Sequence, residues 1–342
     1  MKKTKLLTIT LSVMLTVALT ACISIPLTTE KDDVTATDSI AVSADETRTN
    51  ILVAGCDRAS GLTDVIMLVS VDTKNNTASV MQIPRDTYAA YTENSYKKLN
   101  GAYGALGAKG LCELLSDSLG VDIDSYLVLS PDALRDAVDA IGGVEITLES
   151  PMYYSDPEQG LYISLRAGKQ TLDGKTAEQF IRYRSGYVDG DLGRIDAQKV
   201  FLCGLIESAR KNADALTVAR VIAALLGKTD TNVTPADGAA LAETLLKIEN
   251  ENVFFMTAPG EAVVAEESGA SYYSLSGKAM EEALAKYFGA GAGSFDRERL
   301  FLNKRYDSFR RIYEGYSPYE VYTAKNIADG KAVFESIAQI PK

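Results

Sequence analysis

Histidine and tryptophan are both absent from this chain of 342 residues. Without histidine, catalysis by a Ser-His-Asp or Cys-His arrangement is excluded, and so is a histidine-ligated zinc site. A general base must therefore be a carboxylate, a lysine, a tyrosine or a cysteine. The lack of tryptophan removes the side chain that most often stacks on sugars, although 18 tyrosines remain.

A basic net charge is missing too, because 46 acidic residues outnumber 35 basic residues and give a net charge of −11. Polyphosphate binding by nucleic-acid proteins needs a net basic face, so we expect no nucleic-acid partner. Apolar residues (46%) and charged residues (24%) are at the levels of a globular protein with a sizeable core. The length suits one large α/β domain or two small ones.

The N-terminus has the features of a secretion signal. Lysines at the start precede an apolar stretch over residues 6–19, which is short for a membrane span. The stretch ends in Leu19-Thr20-Ala21-Cys22, and small residues before a cysteine resemble a bacterial lipobox. We therefore predict a lipoprotein signal peptide over residues 1–22, with Cys22 as the lipidation site and the chain lipid-anchored on the extracytoplasmic face of the membrane. The alternative is an uncleaved membrane anchor in which the cysteine is incidental.

Residues 23–48 are rich in Thr, Ser, Asp and Ala and have few large apolar side chains. This composition predicts a disordered tether that lifts a domain off a membrane. The alternative is a poorly packed first strand.

Three cysteines, Cys56, Cys112 and Cys203, follow the tether. An odd number in an exported chain leaves at least one free or paired with another chain. Cys112 and Cys203 lie in helical apolar patterns, so we predict buried thiols, with a Cys112–Cys203 disulfide as the alternative.

The rest of the sequence alternates strand and helix patterns. Predicted strands cover residues 50–55, 64–72, 77–83, 125–130, 144–148 and 252–257, and predicted helices cover 102–119, 131–141, 174–181, 196–211, 235–246 and 278–287. We predict that residues 150–170 form a loop-rich segment. Alternating strands and helices predict an α/β fold with a central sheet.

Two aspartates flank the loop between the first two predicted strands. Asp57 follows the end of the first strand, and Asp64 opens the second. This topology can bring both carboxylates to one sheet edge, where a divalent cation would relieve their repulsion. The alternative is a pair of solvated turn aspartates.

Arginines stand out in two further stretches. Arg85 comes directly after Pro84, which ends the third strand. Arg182 and Arg184 are two positions apart, and Arg194 follows a glycine-rich turn near a helix start, where backbone N–H groups favour an anion. Arginines grip phosphates with two hydrogen bonds, so they predict a pyrophosphate site. The alternatives are a solvated basic face and, for Arg85, a surface salt bridge.

Taken together, these stretches resemble the LytR-CpsA-Psr family from residue 50 to residue 212, and less closely from there to residue 287. The motifs occur in family order: an apolar strand into Gly55-Cys56-Asp57; Thr63-Asp64; Ile83-Pro84-Arg85-Asp86-Thr87; Lys98-Leu99-Asn100 with Ala102-Tyr103; Ile141-Gly142-Gly143-Val144; Leu172-Asp173-Gly174 with Ala177; Arg182-Tyr183-Arg184; and Gly190-Asp191-Leu192-Gly193-Arg194 with Gln198. No single motif is decisive, but their order and spacing together are specific.

The resemblance implies a three-layer α/β/α fold with a central mixed sheet and a hydrophobic cleft for a polyprenyl chain. It implies a phosphotransferase that moves a glycopolymer, such as teichoic acid or capsule, from a polyprenyl pyrophosphate carrier to peptidoglycan in cell wall biogenesis, and hence a chain that faces the cell wall. Asp57 and Asp64 would hold Mg²⁺ (or Mn²⁺), and with Arg85 they form the predicted catalytic set. Substrate-binding residues would be Lys98, Arg182, Arg184, Arg194 and Gln198. The catalytic domain would span residues 49–288, leaving 289–342 as an extension of unknown role.

The sequence departs from the family pattern near the site. Leu62 stands where an arginine is common, and Ala197-Gln198-Lys199 replaces the usual Arg-Gln-Gln. Two other functions stay open at this point. One is a pyrophosphatase that hydrolyses the same lipid, and the other is a polyprenyl-binding protein without catalysis.

Overall fold

The structure is a computed structural model that describes residues 47–57, 61–89, 98–158, 160–212, 214–266, 268–296, 309–311 and 320–331. The predicted signal peptide, the lipidation site Cys22 and all but the last two residues of the tether lie outside the described residues. Among the helices of the described part, none is long and apolar enough to cross a membrane.

Fourteen strands are described, and they form one large sheet and three small ones. In chain order they are β1 (Arg48–Cys56), β2 (Thr63–Asp72), β3 (Thr77–Gln82), β4 (Ser125–Leu129), β5 (Val144–Leu148), β6 (Met152–Asp156), β7 (Leu161–Leu165), β8 (Gly168–Leu172), β9 (Thr229–Thr231), β10 (Val253–Thr257), β11 (Gly260–Ala265), β12 (Ser271–Leu275), β13 (Phe309–Arg311) and β14 (Tyr322–Thr323). The large sheet has seven strands in the order β14-β10-β3-β2-β1-β4-β9, and it is mixed because β1 pairs in parallel with β4 and antiparallel with β2.

The described helices connect and cover these strands. They are α1 (Ala102–Leu119), α2 (Pro131–Ile141), α3 (Gly174–Arg182), α4 (Asp191–Asn212), α5 (Ala215–Gly227), α6 (Pro235–Lys247), α7 (Gly277–Phe288) and α8 (Ala324–Ala328). Two 3₁₀ turns, at Leu99–Gly101 and Asn250–Asn252, complete the set of described elements. The predicted α/β class with a central mixed sheet is confirmed.

The two faces of the large sheet carry different helices. On one face Leu52, Leu68 and Met81 lie in register across β1, β2 and β3, and all three are fully buried in a cluster with α1 and α7. The opposite face contributes Phe255 to a second cluster with Cys203 of α4. Because strand side chains alternate between faces, the sheet lies between two helical layers.

The strand directions decide where the polar residues collect. Strands β1, β3, β4 and β10 run the same way, since β1 is parallel to β4, β3 is parallel to β10, and β2 is antiparallel to both β1 and β3. Their carboxyl ends therefore meet at one edge of the sheet, together with the start of β2. Asp57, Asp64 and Arg85 all lie at this edge.

Helix starts follow local capping signals. The Ser130 hydroxyl accepts a hydrogen bond from the N–H of Ala133, and Pro131 occupies the first turn of α2. Asp173 caps α3, and Thr234 forms a capping box with Asp237 at α6. Because these signals need only neighbouring residues, the predicted starts are confirmed to within a residue.

The interpretation of residues 150–170 as loop was wrong. This stretch forms the antiparallel hairpin β6–β7, followed by β8, which pairs with β5. Met152, Ile163 and Leu165 are buried, whereas Tyr153 and Tyr162 are about 60% exposed (61% and 59%) on the other face. Because these large aromatic residues occupy solvent-facing positions, the two strands lack the alternation of apolar and polar residues by which a strand is predicted.

Helix α4 begins at Asp191, five residues before the predicted start at residue 196. Gly190 has a φ of 55° and makes the turn, but Gly193 continues in helical conformation and is buried. Helix α5 and the antiparallel strands β11 and β12 were not predicted.

Cys56, Cys112 and Cys203 are all free, and Cys112 and Cys203 are buried as predicted. The alternative of a Cys112–Cys203 disulfide was therefore wrong. Burial raises the pKa of both Cys112 and Cys203 to about 11, so each thiol stays protonated at neutral pH.

Residues beyond 288 also enter the sheets. Strand β14 extends the large sheet by pairing with β10, and β13 pairs with β11. The Cys203 thiol donates a hydrogen bond of 3.3 Å to the carbonyl of Ala324 in α8. The described parts of this extension therefore pack as part of the fold.

Candidate active site

A cavity of about 520 Å³ lies on the α4 side of the large sheet. Its floor is formed by Ile51, Val53, Val69 and Val80, the side chains of β1, β2 and β3 that face away from α1. Its walls come from α2, α4, α5 and α6, and almost all of the wall side chains are Val, Leu, Ile, Phe or Ala. Such a lining suits an apolar ligand.

Helices α5 and α6 are exposed to this cavity along their apolar sides. Neither helix has a fully buried residue, and Val221, Ile222, Leu241 and Leu245 are only half-buried although they point inward. A helix face with this composition ordinarily packs against other side chains. Here the facing space is the cavity.

Among the described residues, the charged groups that line the cavity lie at the sheet edge where the strand ends collect. They are three acids and two bases, Asp57, Asp64, Glu178, Arg182 and Arg194. We call the end of the cavity that these five residues line the mouth. Three negative and two positive side chains leave these lining residues with a net charge of −1.

Arg85 and Arg194 come from different elements, and both contact Asp64 and Asp191. Arg85 Nη1 lies 2.5 Å from Asp64 Oδ1, and its Nε lies 3.6 Å from Asp191 Oδ1. Arg194 Nη2 lies 2.9 Å from Asp191 Oδ1 and donates to the Asp64 carbonyl at 3.0 Å. The predicted convergence of Asp64, Arg85 and Arg194 is therefore observed.

The two guanidinium groups have different electrostatic surroundings. Burial lowers the pKa of Arg85, but the charges of Asp191 and Asp64 outweigh it, and the net result is a raised pKa. Burial also lowers the pKa of Arg194, and repulsion from Arg85 and Arg184 adds to that effect. Within the described residues, the Nε atoms of both Arg85 and Arg194 are buried without a hydrogen bond. Both groups therefore have donors left for an anion.

Arg182 is the last residue of α3, where the helix dipole favours a cation. Its Nη1 donates to Glu178 Oε1 at 3.0 Å, one helical turn back. The other oxygen of Glu178 accepts from Arg135 Nε on α2. Arg184 lies beyond the helix end, is exposed, and has its guanidinium beside Gly190.

Gln198 is buried and joins two elements at the mouth. Its Nε2 donates to the Ile181 carbonyl at 3.0 Å, and its Oε1 accepts from Gln82 Nε2 at 2.9 Å. The side chain thus links α4 to the end of α3 and to the end of β3.

Lys98 contacts Asp86, the residue that follows Arg85, and the ring of Tyr272. Its ammonium group is 3.0 Å from Asp86 Oδ1 and 5.7 Å from the centre of the Tyr272 ring. Like Arg85 and Arg184, it is not among the described residues that line the cavity. The backbone nonetheless connects it to the site, since the N–H of Asn100 donates to the Arg85 carbonyl at 3.0 Å.

The backbone holds the loops at this edge in compact turns. The Asp57 N–H donates to the Leu62 carbonyl at 2.9 Å, which closes the loop that carries the first aspartate. The Thr87 N–H donates to the Pro84 carbonyl at 2.9 Å and holds Arg85 in a tight turn. The strand ends before the proline, as predicted, and the proline begins the turn.

The carboxylates suit a magnesium ion that shares its ligands with a substrate. Within the described residues, no group of three or more His, Cys, Asp or Glu side chains could hold a metal by itself. Asp57 and Asp64 both line the mouth and supply hard oxygen donors. Mg²⁺ is commonly held by one or two carboxylates, with water and substrate phosphates as the other ligands. The residues present fit that arrangement.

Three residues of this network had no role in the sequence interpretation: Arg135, Glu178 and Asp191. The spacings i,i+4 for Glu178–Arg182 and i,i+3 for Asp191–Arg194 mark ion pairs on a helix. The ion pairs of Glu178 and Asp191 could therefore be predicted from the sequence once the bounds of the helices are known. The contact between Arg135 and Glu178 spans 43 positions of sequence, and no local signal indicates it.

Comparisons with curated proteins find relatives of similar sequence. TagV of Bacillus subtilis, a polyisoprenyl-teichoic acid–peptidoglycan teichoic acid transferase, is 29% identical over 189 residues, covering 54% of this chain and 48% of TagV. The cell wall biosynthesis protein LcpA of Corynebacterium glutamicum is 28% identical over 232 residues, covering 59% of this chain and 44% of LcpA. The chain thus spans about half the length of these curated relatives.

Solved structures share the architecture. The crystal structure of B. subtilis TagV matches with a TM-score of 0.61 at 22% identity, covering 72% of this chain and 100% of that one. The structure of TagT bound to LI-WTA matches with a TM-score of 0.57 at 22% identity, covering 71% and 92%. The model of the LytR_cpsA_psr family matches residues 19–288. The chain belongs to the LytR-CpsA-Psr family.

Proposed function

We propose that this protein is a phosphotransferase that moves a glycopolymer from a polyprenyl pyrophosphate carrier onto peptidoglycan. The observation that carries the proposal is a cavity with two chemically distinct ends. Its interior is apolar, and arginines and carboxylates cluster at its mouth. A lipid with an apolar tail and a diphosphate head matches both ends at once.

The tail would occupy the space between the large sheet and α5–α6. Each buried CH₂ group contributes about 0.8 kcal/mol, so a branched hydrocarbon is retained without any directional contact. The half-buried apolar sides of α5 and α6 would complete their packing against the tail. This accounts for two helices that have no fully buried residue of their own.

The head would be held at the mouth by Arg85, Arg182, Arg184 and Arg194. A diphosphate esterified at both ends carries two negative charges, and it would lie beside the carboxylates of Asp57, Asp64 and Glu178, which line the mouth. A divalent cation on Asp57 and Asp64 would offset this repulsion and, when bound, would polarise the phosphate oxygens. The arginines supply the bidentate contacts that orient the phosphates.

The reaction is a displacement at the phosphorus on the glycan side. A peptidoglycan hydroxyl, by resemblance the muramic acid 6-hydroxyl, forms the new P–O bond. The bond to the bridging oxygen breaks, and polyprenyl phosphate leaves with that electron pair. The hydroxyl proton passes to a carboxylate of the mouth, which is one of the bases available in a chain without histidine. Arg85 and Arg194 would stabilise the charge that develops on the phosphate oxygens.

The cellular setting of the proposal follows from the first 48 residues. A lipid on Cys22 and a tether would keep the catalytic domain close to the lipid-linked substrate and facing the cell wall. The relatives support the substrate class, since TagV is named a polyisoprenyl-teichoic acid–peptidoglycan teichoic acid transferase. LcpA is named a cell wall biosynthesis protein.

The test supplies the full-length protein in detergent with a polyprenyl-pyrophosphate glycan, peptidoglycan oligomers and Mg²⁺. We expect a covalent glycan–peptidoglycan adduct and free polyprenyl phosphate, detected by mass spectrometry. Arg85→Ala should lower the rate by about a hundredfold, in line with a loss of roughly 3 kcal/mol of transition-state stabilisation. Glu113→Gln, in an exposed ion pair on α1, serves as the control.

Three results would overturn the proposal. Equal rates for Arg85→Ala and the parent would remove the arginines from the reaction. Free glycan phosphate without an adduct would identify a pyrophosphatase instead. Tight lipid binding without turnover, unchanged by Asp57→Asn, would identify a lipid-binding protein.

A further inference from the structure

Arg135 lies on α2, outside every family motif quoted above, yet it contacts the residue that holds Arg182. Its Nε donates to Glu178 Oε2, and its Nη1 is 3.5 Å from Asp132 in the first turn of the same helix. Glu178 uses its other oxygen for Arg182. A chain of alternating charges therefore runs from the start of α2 to the mouth.

We propose that Arg135 is a positioning residue that acts through Glu178 to fix the guanidinium of Arg182 for the diphosphate. The inference rests on the proposed function, because it assigns Arg182 to a phosphate. It extends the site to a helix that no predicted site residue occupies.

The burial of Glu178 is the first reason. Its side chain is 9% exposed, whereas the side chains of Arg182 and Arg135 are 32% and 41% exposed. A buried carboxylate with one partner would be under-compensated, and with two guanidinium partners both oxygens are satisfied. The hydrogen bond to Glu178 also raises the pKa of Arg135.

The geometry at Arg182 is the second reason. Glu178 engages Nη1 alone, so within the described residues Nε and Nη2 of Arg182 keep their donors for a ligand. An arginine side chain has several rotatable bonds, and fixing one nitrogen lowers the entropy cost of a bidentate grip. The fixed point is Glu178, and Arg135 keeps Glu178 from turning.

The third reason is the place of α2 in the fold. Ser130 and Pro131, at the start of this helix, line the cavity together with Glu178 and Arg182. The backbone carbonyl of Arg135 lies so close to Gly174 that a Cβ there would come within 2.3 Å of it. Helices α2 and α3 are therefore in direct contact, and Arg135 is anchored on a close-packed surface.

The experiment measures binding of farnesyl diphosphate and of farnesol to the full-length protein with Mg²⁺. The two probes share a tail, so the ratio of their dissociation constants isolates the diphosphate. The variants are Arg135→Gln, Arg135→Lys, Glu178→Gln and the double variant Arg135→Gln/Glu178→Gln. Glu113→Gln is the matched control, since Glu113 forms an exposed i,i+4 ion pair with Lys109.

We expect Arg135→Gln to weaken farnesyl diphosphate binding by about tenfold and to leave farnesol binding unchanged, because groups in one ion-pair network commonly couple by this amount. Arg135→Lys should recover part of the loss. The double variant should bind no worse than Glu178→Gln alone, since Arg135 acts only through that carboxylate.

Failures of the two proposals give different results. A parent that binds the diphosphate no better than the alcohol would refute the proposed function itself. A parent that prefers the diphosphate, with Arg135→Gln equal to it, would refute only the positioning role. Equal weakening of both probes would also refute that role, because it would assign Arg135 to the shape of the cavity.

Discussion

Asp191 lies between Arg85 and Arg194, with its Oδ1 3.6 Å from Nε of the first and 2.9 Å from Nη2 of the second. The two arginines come from the end of β3 and the first turn of α4, more than a hundred positions apart. Burial lowers the pKa of Arg194, and repulsion from Arg85 lowers it further. The carboxylate between them is what allows two buried positive charges to stay close.

Asp191→Asn should therefore destabilise the fold and disable the site together. Removing the charge leaves two partly buried guanidinium groups under-compensated, and we expect a loss of about 3 kcal/mol in the free energy of unfolding. Urea unfolding followed by circular dichroism measures it. Glu243→Gln, in the exposed pair with Lys247, should change stability by less than about 0.5 kcal/mol. An unchanged midpoint for Asp191→Asn would contradict the bridging role.

The polar end of the site was largely predictable from sequence, because strand ends and family motifs mark it. Asp57 and Asp64 flank one short loop, and Pro84 fixes Arg85 just past a strand. The cavity walls were less predictable. Helix α5 is apolar over most of its surface and shows no polar face from which a helical period could be read.

Contacts between distant elements set the second limit on sequence prediction. Lys199 was noted only as a departure from the family pattern, yet it is 2% exposed and bonds Asp196 Oδ1 and Thr257 Oγ1, each at 2.7 Å. Both polar and apolar residues surround this lysine in the helix sequence, so the sequence does not indicate that its ammonium group is buried. Its ammonium group bonds Thr257, which lies at the end of β10 and far away in sequence.

That buried lysine leads to a stability prediction. Lys199→Ala should cost about 3–5 kcal/mol in the free energy of unfolding, since it leaves the Asp196 carboxylate buried without its cation. Lys199→Met combined with Asp196→Leu should recover most of the loss, because it removes both charges and keeps the volume. Chemical unfolding of the three proteins decides the matter. A double variant as unstable as Lys199→Ala would show that the charge of Asp196 is not the cause.

The free cysteines should differ in their reactivity toward iodoacetamide. The pKa of Cys112 and of Cys203 is raised to about 11, so their thiolate fraction at pH 8 is about one in a thousand. Their labelling should rise about tenfold for each pH unit until the pH approaches 11.

Cys56 is half-buried and lines the cavity, so it should react first. Peptide mapping by mass spectrometry reads out each site, and farnesyl diphosphate should protect Cys56 alone. Rapid labelling of Cys203 at pH 8 would contradict its burial.

A tryptophan placed in the cavity separates lipid binding from folding. Val221 of α5 faces the cavity, whereas Ala223, two positions on, is exposed and absent from its lining. Val221→Trp should fill apolar space and raise the melting temperature by a few degrees, which corresponds to about 1 kcal/mol in the free energy of unfolding for a domain of this size. The same variant should weaken farnesol binding at least tenfold. Ala223→Trp on the same helix should leave farnesol binding within about twofold of the parent. Because both variants add an indole to one helix, only the direction of the side chain differs between them. Equal farnesol binding by the two variants would mean that an apolar tail does not enter this cavity. The arginines at the mouth would then have to bind a ligand that has no apolar tail.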